Sequence, residues 1–203
     1  MTSQEIINKV RIIMNEAGED EKLNLLNEDT VKLDMYIESV IPDAVNLILL
    51  LSPVNHINIS KSTLSIQNVD GVGIISLPQD FLKLVVVKLR EWKRSVFVAY
   101  PLGSEDYKIQ HNPVTRSGVN KPSCALSYNA DGAIIECYPS GTMECFSYIK
   151  SATNSNNKGL DIVKDNLHLP VCYMCASLVY NIFEMPQIGD KMKSIAIELI
   201  PKE

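Results

Sequence analysis

The chain has 203 residues, of which 46% are apolar and 21% charged, and its formal net charge is −5. This is enough apolar material for one large domain, or two small ones sharing a core, and too acidic a balance for a protein that grips nucleic acid through a broad basic face. The longest apolar run, Leu47 to Leu51, falls far short of the roughly 18 residues of a membrane span, and no basic-then-apolar leader pattern opens the chain, so a soluble intracellular product is expected.

The N-terminal part reads as helix. Thr2-Ser3-Gln4-Glu5 has the spacing of a capping box, and Ile6, Val10, Ile13 and Ala17 continue as an apolar stripe that Gly18 can end. A polar link follows. Asp29 or Thr30 can cap a second helix, in which Leu33, Ile37, Val40, Ala44, Leu47 and Leu51 recur at helical spacing. Pro42 predicts a kink or restart within it, because proline lacks a backbone donor and clashes with the preceding turn. Residues 1–43 hold ten acids against four bases, net −6, leaving +1 for the remainder. The negative field therefore lies at one end of the sequence.

From residue 54 the period changes. Ile57 with Ile59, Leu64 with Ile66, and Ile74, Ile75 and Leu77 predict short strands, with Asp70-Gly71 as a hairpin turn. Gly71-Val72-Gly73 imitates a dinucleotide-binding fingerprint, but the third glycine is missing and a strand with proline follows where the phosphate-binding helix belongs. The stretch from Leu77 to Tyr100 organises the chain. Pro78-Gln79-Asp80-Phe81 predicts a tight turn that drops Phe81 onto the core. The strand after it sets Val85, Val87 and Leu89 on one face, and Leu82, Leu84 and Val86 on the other until Lys88, Arg90 and Trp92 replace them. Lys83, Lys88, Arg90, Lys93 and Arg94 against Glu91 give residues 83–94 a net +4. Such an edge is either a solvated strand end that resists aggregation or a docking edge for an acidic neighbour.

Ser104-Glu105-Asp106 can open a short helix carrying Tyr107 and Ile109, and 112–122 is a polar loop. A three-stranded meander is expected next: Cys124 to Tyr128, Ala133 to Tyr138 and Met143 to Ile149. Ser151 to Gly159 contains nothing that would anchor it, so it reads as a mobile surface loop. Pro170 can occupy the first turn of a helix in which Val171 to Phe183 is apolar nearly all round, central to the core or to a subunit interface. Met185-Pro186 breaks it, and a last amphipathic helix carries Ile188, Met192, Ile195, Ala196 and Leu199.

Chemical signatures are few. The five cysteines, at 124, 137, 145, 172 and 175, form an odd set in apolar runs, which suits reduced core thiols. Cys172-Tyr173-Met174-Cys175 has metal-like or redox-like spacing but lies inside an apolar helical run without two further ligands. His56, His111 and His168 have no partner at helical spacing, and Glu136 and Glu144 facing each other across adjacent strands would only imitate a glycosidase pair. No catalytic, cofactor or metal-binding residue is assigned, and the chain reads as non-enzymatic.

The order of features resembles the head-to-tail connector, or tail-adaptor, ring proteins of tailed bacteriophages, particularly those of crAss-like phages. The resemblance rests on the acidic N-terminal helices with Tyr36-Ile37-Glu38-Ser39-Val40-Ile41-Pro42-Asp43-Ala44, on the Leu77 to Phe81 turn with its strand, and on Trp92-Lys93-Arg94. Lys121-Pro122, Tyr138-Pro139 and Cys175-Ala176-Ser177-Leu178-Val179 complete it, so that it spans most of the chain. It implies a dodecameric ring in the neck of the virion, made in the host cytoplasm, with a portal protein, other tail or ring proteins and non-specifically passing double-stranded DNA as partners, and no membrane or cofactor.

The expected fold is α+β: N- and C-terminal helices packed as a bundle, with a mainly antiparallel sheet or meander inserted between them. Its parts are N-terminal helices at 1–53, a β-rich region at 54–150, a loop and linker at 151–169 and C-terminal helices at 170–203. The expected subunit, portal or tail contacts are Phe81, Lys88, Arg90, Trp92, Lys93 and Arg94, with Glu16, Glu19, Asp20 and Glu21 as an acidic face for a channel or an interface. The alternative is a multimeric scaffold or protein-binding module using the 83–94 edge for an acidic partner.

Overall fold

The computed structural model describes residues 1–17, 27–130, 132–154 and 160–202. The Gly18 stop, Glu19, Asp20, Glu21 and the 155–159 part of the expected mobile loop lie outside them. The chain is α+β, and it divides into a helical unit, 1–58 with 151–203, and a β unit, 59–150.

In the helical unit, α1 (Ser3–Ala17) starts at the expected capping box: the Glu5 amide donates to Thr2 Oγ1 at 3.3 Å, and the Thr2 amide donates to Glu5 Oε2 at 2.8 Å. Helix α2 (Asn27–Leu51) begins ahead of the expected Asp29 or Thr30 cap and runs through Pro42 without the expected restart. A proline inside a helix costs roughly 3 kcal/mol. Against it, Ile37, Val40, Ile41, Ala44, Val45, Ile48 and Leu49 are all buried, and each large one contributes about 1.5–3 kcal/mol. Burial on both sides of the proline wins. Arg11 and Asp34 tie α1 to α2 across 2.8 Å.

Helix α4 (His168–Ile182), which follows the short α3 (Glu105–Gln110) of the β unit in chain order, packs against α1, α2 and α5 (Pro186–Glu198), so it is the centre of the helical unit. The close approach of α4 and α5 depends on Gly189, where a Cβ would lie 3.1 Å from the Ser177 carbonyl oxygen and closer still to the Asn181 side chain. The buried Tyr180 hydroxyl donates to the Met14 carbonyl at 2.8 Å. Residues 151–154 are not the unanchored loop expected: Ala152 is fully buried, its amide donates to Asn46 Oδ1 at 2.8 Å, and Asn46 also donates to Thr153. A small apolar residue and a helix-borne amide supply the anchor. Among the described residues no helix is long and apolar enough to cross a membrane.

The β unit is two sheets with a shared core. One has the order β1 (Ser60–Lys61), β8 (Met143–Lys150), β4 (Phe81–Leu89). The other runs β2 (Gln67–Val69), β3 (Val72–Ser76), β7 (Gly132–Tyr138), β6 (Ser123–Asn129), β5 (Ala99–Pro101). All pairings are antiparallel except β5 with β6. The hairpin at Asp70-Gly71 forms as expected, with φ of 50° and 78° at its two central residues. The expected meander does not. Strands β6 and β7 form a hairpin, but the other edge of β7 is taken by β3, so β8 crosses to the second sheet. There Phe146 and Tyr148 meet Ile135, Cys137, Ile75 and Leu84 in one buried cluster.

Strand β4 also departs from simple alternation. Leu84, Val87 and Leu89 all point into this cluster, because an irregularity between Leu84 and Val86 shifts the inward parity from even to odd positions.

Candidate functional site

The chain leaves β4 at Leu89 and turns back on itself. Arg90 and Glu91 form the turn, the Trp92 amide donates to the Leu89 carbonyl at 3.1 Å, and Val96 then pairs with Val87 through two hydrogen bonds of 2.9 Å. The basic segment is therefore a hairpin tip rather than the continuation of a strand. This overturns the expected display of Trp92 beside Lys88 and Arg90. Trp92 is 2% exposed, belongs to the sandwich core and donates its indole N–H to the Pro139 carbonyl at 2.9 Å. Period-two counting places it with the cations only if the strand continues, and it stops three residues earlier.

What Trp92 does instead is fasten the tip. The Arg90 amide donates to the Thr142 carbonyl at 2.9 Å, the Glu91 carboxylate accepts the Thr142 amide at 2.8 Å, and the Lys93 amide donates to the Val119 carbonyl at 2.9 Å. The Glu91 carboxylate lies against Gly141, where any Cβ would overlap it. The Thr142 amide, with a smaller contribution from Arg90, holds the Glu91 carboxyl below the usual carboxylate range. A tip held this way presents its cations with little ordering entropy left to lose on binding.

The six expected contact residues separate into two groups. Arg90, Lys93 and Arg94 are exposed, and none of them forms a salt bridge among the described residues. Lys88 is partly buried and paired with Glu144 at 3.1 Å, so its charge is matched within the sandwich. Phe81 reaches the core as expected: its amide donates to the Pro78 carbonyl, and its ring stacks on Tyr148 with centroids 5.8 Å apart. It is thus largely spent on packing, as is Trp92. The Tyr148 hydroxyl donates to Asp80 at 3.0 Å, and its pKa is pushed up to about 12 by burial and then by that bond. The side chain of Glu16 lies outside the described residues, as do Glu19, Asp20 and Glu21, so the acidic face is not located.

A feature missed in the sequence sits beside this tip. After Val96 the chain diverges from β4 to join β6, leaving an apolar wedge of about 250 Å³ lined by Phe81, Leu82, Lys83, Leu84, Phe97, Val98, Ala99, Pro101, Leu126 and Ile135. Phe97 and Val98 at its mouth are 64% and 74% exposed. In the sequence Val96-Phe97-Val98 is an apolar run that follows Lys93-Arg94-Ser95, and nothing in it marks where the chain parts from β4.

The remaining sites resolve without a shared centre. Glu136 and Glu144 lie on different sheets; Glu136 accepts from Tyr107 at 3.4 Å and from Tyr138, whose phenol is held well above its ordinary pKa by burial first and by Glu136 second. Cys172 and Cys175 are fully buried on α4, and burial pushes the first to about 11 and the second well above the usual thiol value. They are neutral thiols at neutral pH. Cys124 and Cys137 pair directly across the β6–β7 hairpin with sulfurs 3.6 Å apart. Among the described residues no three His, Cys, Asp or Glu side chains converge as a metal site.

Fold and surface together define an α+β protein with an acidic helical unit and a β sandwich bearing a rigid cationic tip and an open apolar wedge. The sequence matches no protein-family model, and no curated protein matches it.

Proposed function

We propose that the chain is a non-enzymatic structural subunit of a virion ring that joins the portal to the tail and extends the DNA channel. The order of sequence features resembles connector proteins of tailed phages, and the observation that carries the reading is the firmly held Arg90, Lys93 and Arg94 tip on an otherwise acidic chain. A ring is built from heterologous contacts, one patch of each copy against a different patch of the next, and a cationic tip on one unit with an acidic other unit supplies complementary patches. The same tip equally supports the second reading, a multimeric scaffold or binding module for an acidic partner.

Light-scattering mass of the purified chain, alone and mixed with a candidate portal at low and moderate salt, tests this. Rings, or a monomer that joins the portal, are expected, weakening as salt rises because the screening length falls to about 10 Å at 0.1 M. Reversing the three tip cations (Arg90→Glu, Lys93→Glu, Arg94→Glu) should cut association roughly tenfold or more. A wild-type monomer indifferent to any portal overturns the ring reading, and tight association unaffected by the reversal overturns the role of the tip.

A further inference from the structure

We propose that Cys124 and Cys137 form a redox modification site, a latent cross-strand disulfide that locks the β6–β7 hairpin beneath the cationic tip. This goes beyond the ring reading and holds whether or not the chain forms rings.

The backbone register places the pair for it. The Leu77 amide donates to the Ala133 carbonyl at 3.1 Å, and β3 and β7 keep an unbroken register from Ser76 opposite Ile134 to Gly73 opposite Cys137. Hydrogen-bonded pairs recur at every second position of an antiparallel ladder, so Cys137 spends its backbone groups on Gly73. Toward β6 it therefore sits at a non-hydrogen-bonded position, directly opposite Cys124. Cα atoms lie about 4.5 Å apart in such a pair, within the roughly 4.4–6.8 Å that disulfides span. Both side chains point into the sandwich core, and their sulfurs are already 3.6 Å apart, against about 2.05 Å once bonded. No other two cysteines oppose each other across strands: Cys145 lies in the other sheet opposite Lys88, and Cys172 and Cys175 share α4.

Position gives the bond its consequence. The pair lies next to the open end of the hairpin, where Ser123 faces Tyr138. Just beyond Cys137 is Pro139, whose carbonyl accepts the Trp92 indole N–H, and shortly before Cys124 is Val119, whose carbonyl accepts the Lys93 amide. Splaying β6 from β7 at this end parts the two anchors of the tip, and a covalent link prevents it.

The folded thiols are fully buried, and burial first, then Cys137, holds the Cys124 thiol well above its ordinary pKa, so reaction waits on opening of the hairpin. The oxidant is a small-molecule disulfide of the glutathione type. One cysteine thiolate attacks it and releases a glutathione thiolate, and the other then displaces the second glutathione from the mixed disulfide. Two protein thiols are thereby oxidised, one disulfide is reduced to two thiols, and the protein's two protons end on the released glutathiones.

The test holds the full chain in urea below its unfolding transition, with reduced or oxidised glutathione, and then alkylates it in full denaturant for intact mass. Non-reducing peptide mapping follows cleavage after Glu136 and Glu144, which puts Cys124, Cys137 and Cys145 on separate peptides. Oxidation is expected to hide two of the five thiols from alkylation and to link the Cys124 peptide to the Cys137 peptide. After removal of urea, hydrogen exchange at the Lys93 amide should be slower by roughly tenfold or more than in the reduced chain. Cys137→Ala, treated in the same way, should show no slowing. Five alkylated thiols, a persistent glutathione adduct, or a link to Cys145, Cys172 or Cys175 overturns the site. A link between Cys124 and Cys137 without slower exchange overturns the lock beneath the tip.

Discussion

The helical unit carries sixteen acids and nine bases, net −7, whereas the sandwich carries eight acids and ten bases, net +2. Their interiors differ as well. The helical unit brings α4 and α5 together over Gly189 and Ser177, while the sandwich is filled by Phe81, Trp92, Phe146 and Tyr148. Close backbone approach leaves no room for a larger side chain, so the helical unit should be most sensitive to added atoms. Large aromatic rings leave large holes when removed, so the sandwich should be most sensitive to lost ones. The contrast also separates roles: the unit with the acidic field has its surface organised by helices, and the unit with the cations has its loops pinned by the core.

The strongest way to break the contrast is Trp92→Ala. It should cost about 3–5 kcal/mol by urea unfolding, since it opens a cavity and removes the donor to Pro139. Tip function should fall with it even though the three cations remain. Trp92→Phe should recover most of the packing and still lose roughly 1 kcal/mol for the missing N–H. If Trp92→Ala unfolds like the wild type, the tip is not held by its core. In the helical unit the counterpart is Gly189→Ala, which adds one methyl between α4 and α5 and should cost about 1–3 kcal/mol by circular dichroism melts. A neutral result would mean that Asn181 and the Ser177 carbonyl give way easily.

The helical unit was the more legible of the two in sequence. The capping box at Thr2 and Glu5, the apolar stripe of α1 and the nearly all-round apolar run of α4 stand where the sequence puts them, because a helix closes its hydrogen bonds locally. At Pro42 the helix does not restart, because the local rule is outweighed by burial on both sides of the proline. In the sandwich the local turns at Asp70-Gly71 and between Asn129 and Gly132 were legible, and that second turn alone pairs Cys124 with Cys137. Three features were not. The crossing of β8 depends on β3 already occupying β7, the parity of β4 changes at an irregularity with no proline or glycine to mark it, and the reversal at Arg90 and Glu91 carries no usual turn residue. The wedge exists only because the chain parts from β4 there, which no period can signal.

A smaller effect separates the units by pH. His168 is 6% exposed, and burial first, then the positive charges of the Met1 amine and Lys9, lower its pKa; Asp165, 3.6 Å away, opposes them. The unfolded chain, with an imidazole near about 6.5, therefore takes up this proton more readily than the folded one. Its contribution to stability is fully present above that value and is lost as pH falls from there through the lower folded pKa. Thermal melts between about pH 8 and pH 5 should show helical signal lost earlier on the acid side, and His168→Gln should flatten that dependence. An unchanged slope in the variant would assign the acid sensitivity to other groups.

The smallest expected effect, and the one of opposite sign, is at the end of α4. The Met185 amide donates to the Tyr180 carbonyl at 2.9 Å and the Glu184 amide to the Asn181 carbonyl at 3.2 Å, the two bonds of a Schellman cap, with Glu184 at φ 60°. A side chain in this left-handed conformation costs roughly 1 kcal/mol, and glycine adopts it without that penalty. Glu184→Gly should therefore stabilise the helical unit by about 0.5–1 kcal/mol, net of the extra freedom glycine gives the unfolded chain, while leaving the tip and the wedge untouched. Raised stability of the helical signal is the expected result. A loss of stability would mean that the Glu184 side chain, and not only its backbone, holds the turn between α4 and α5.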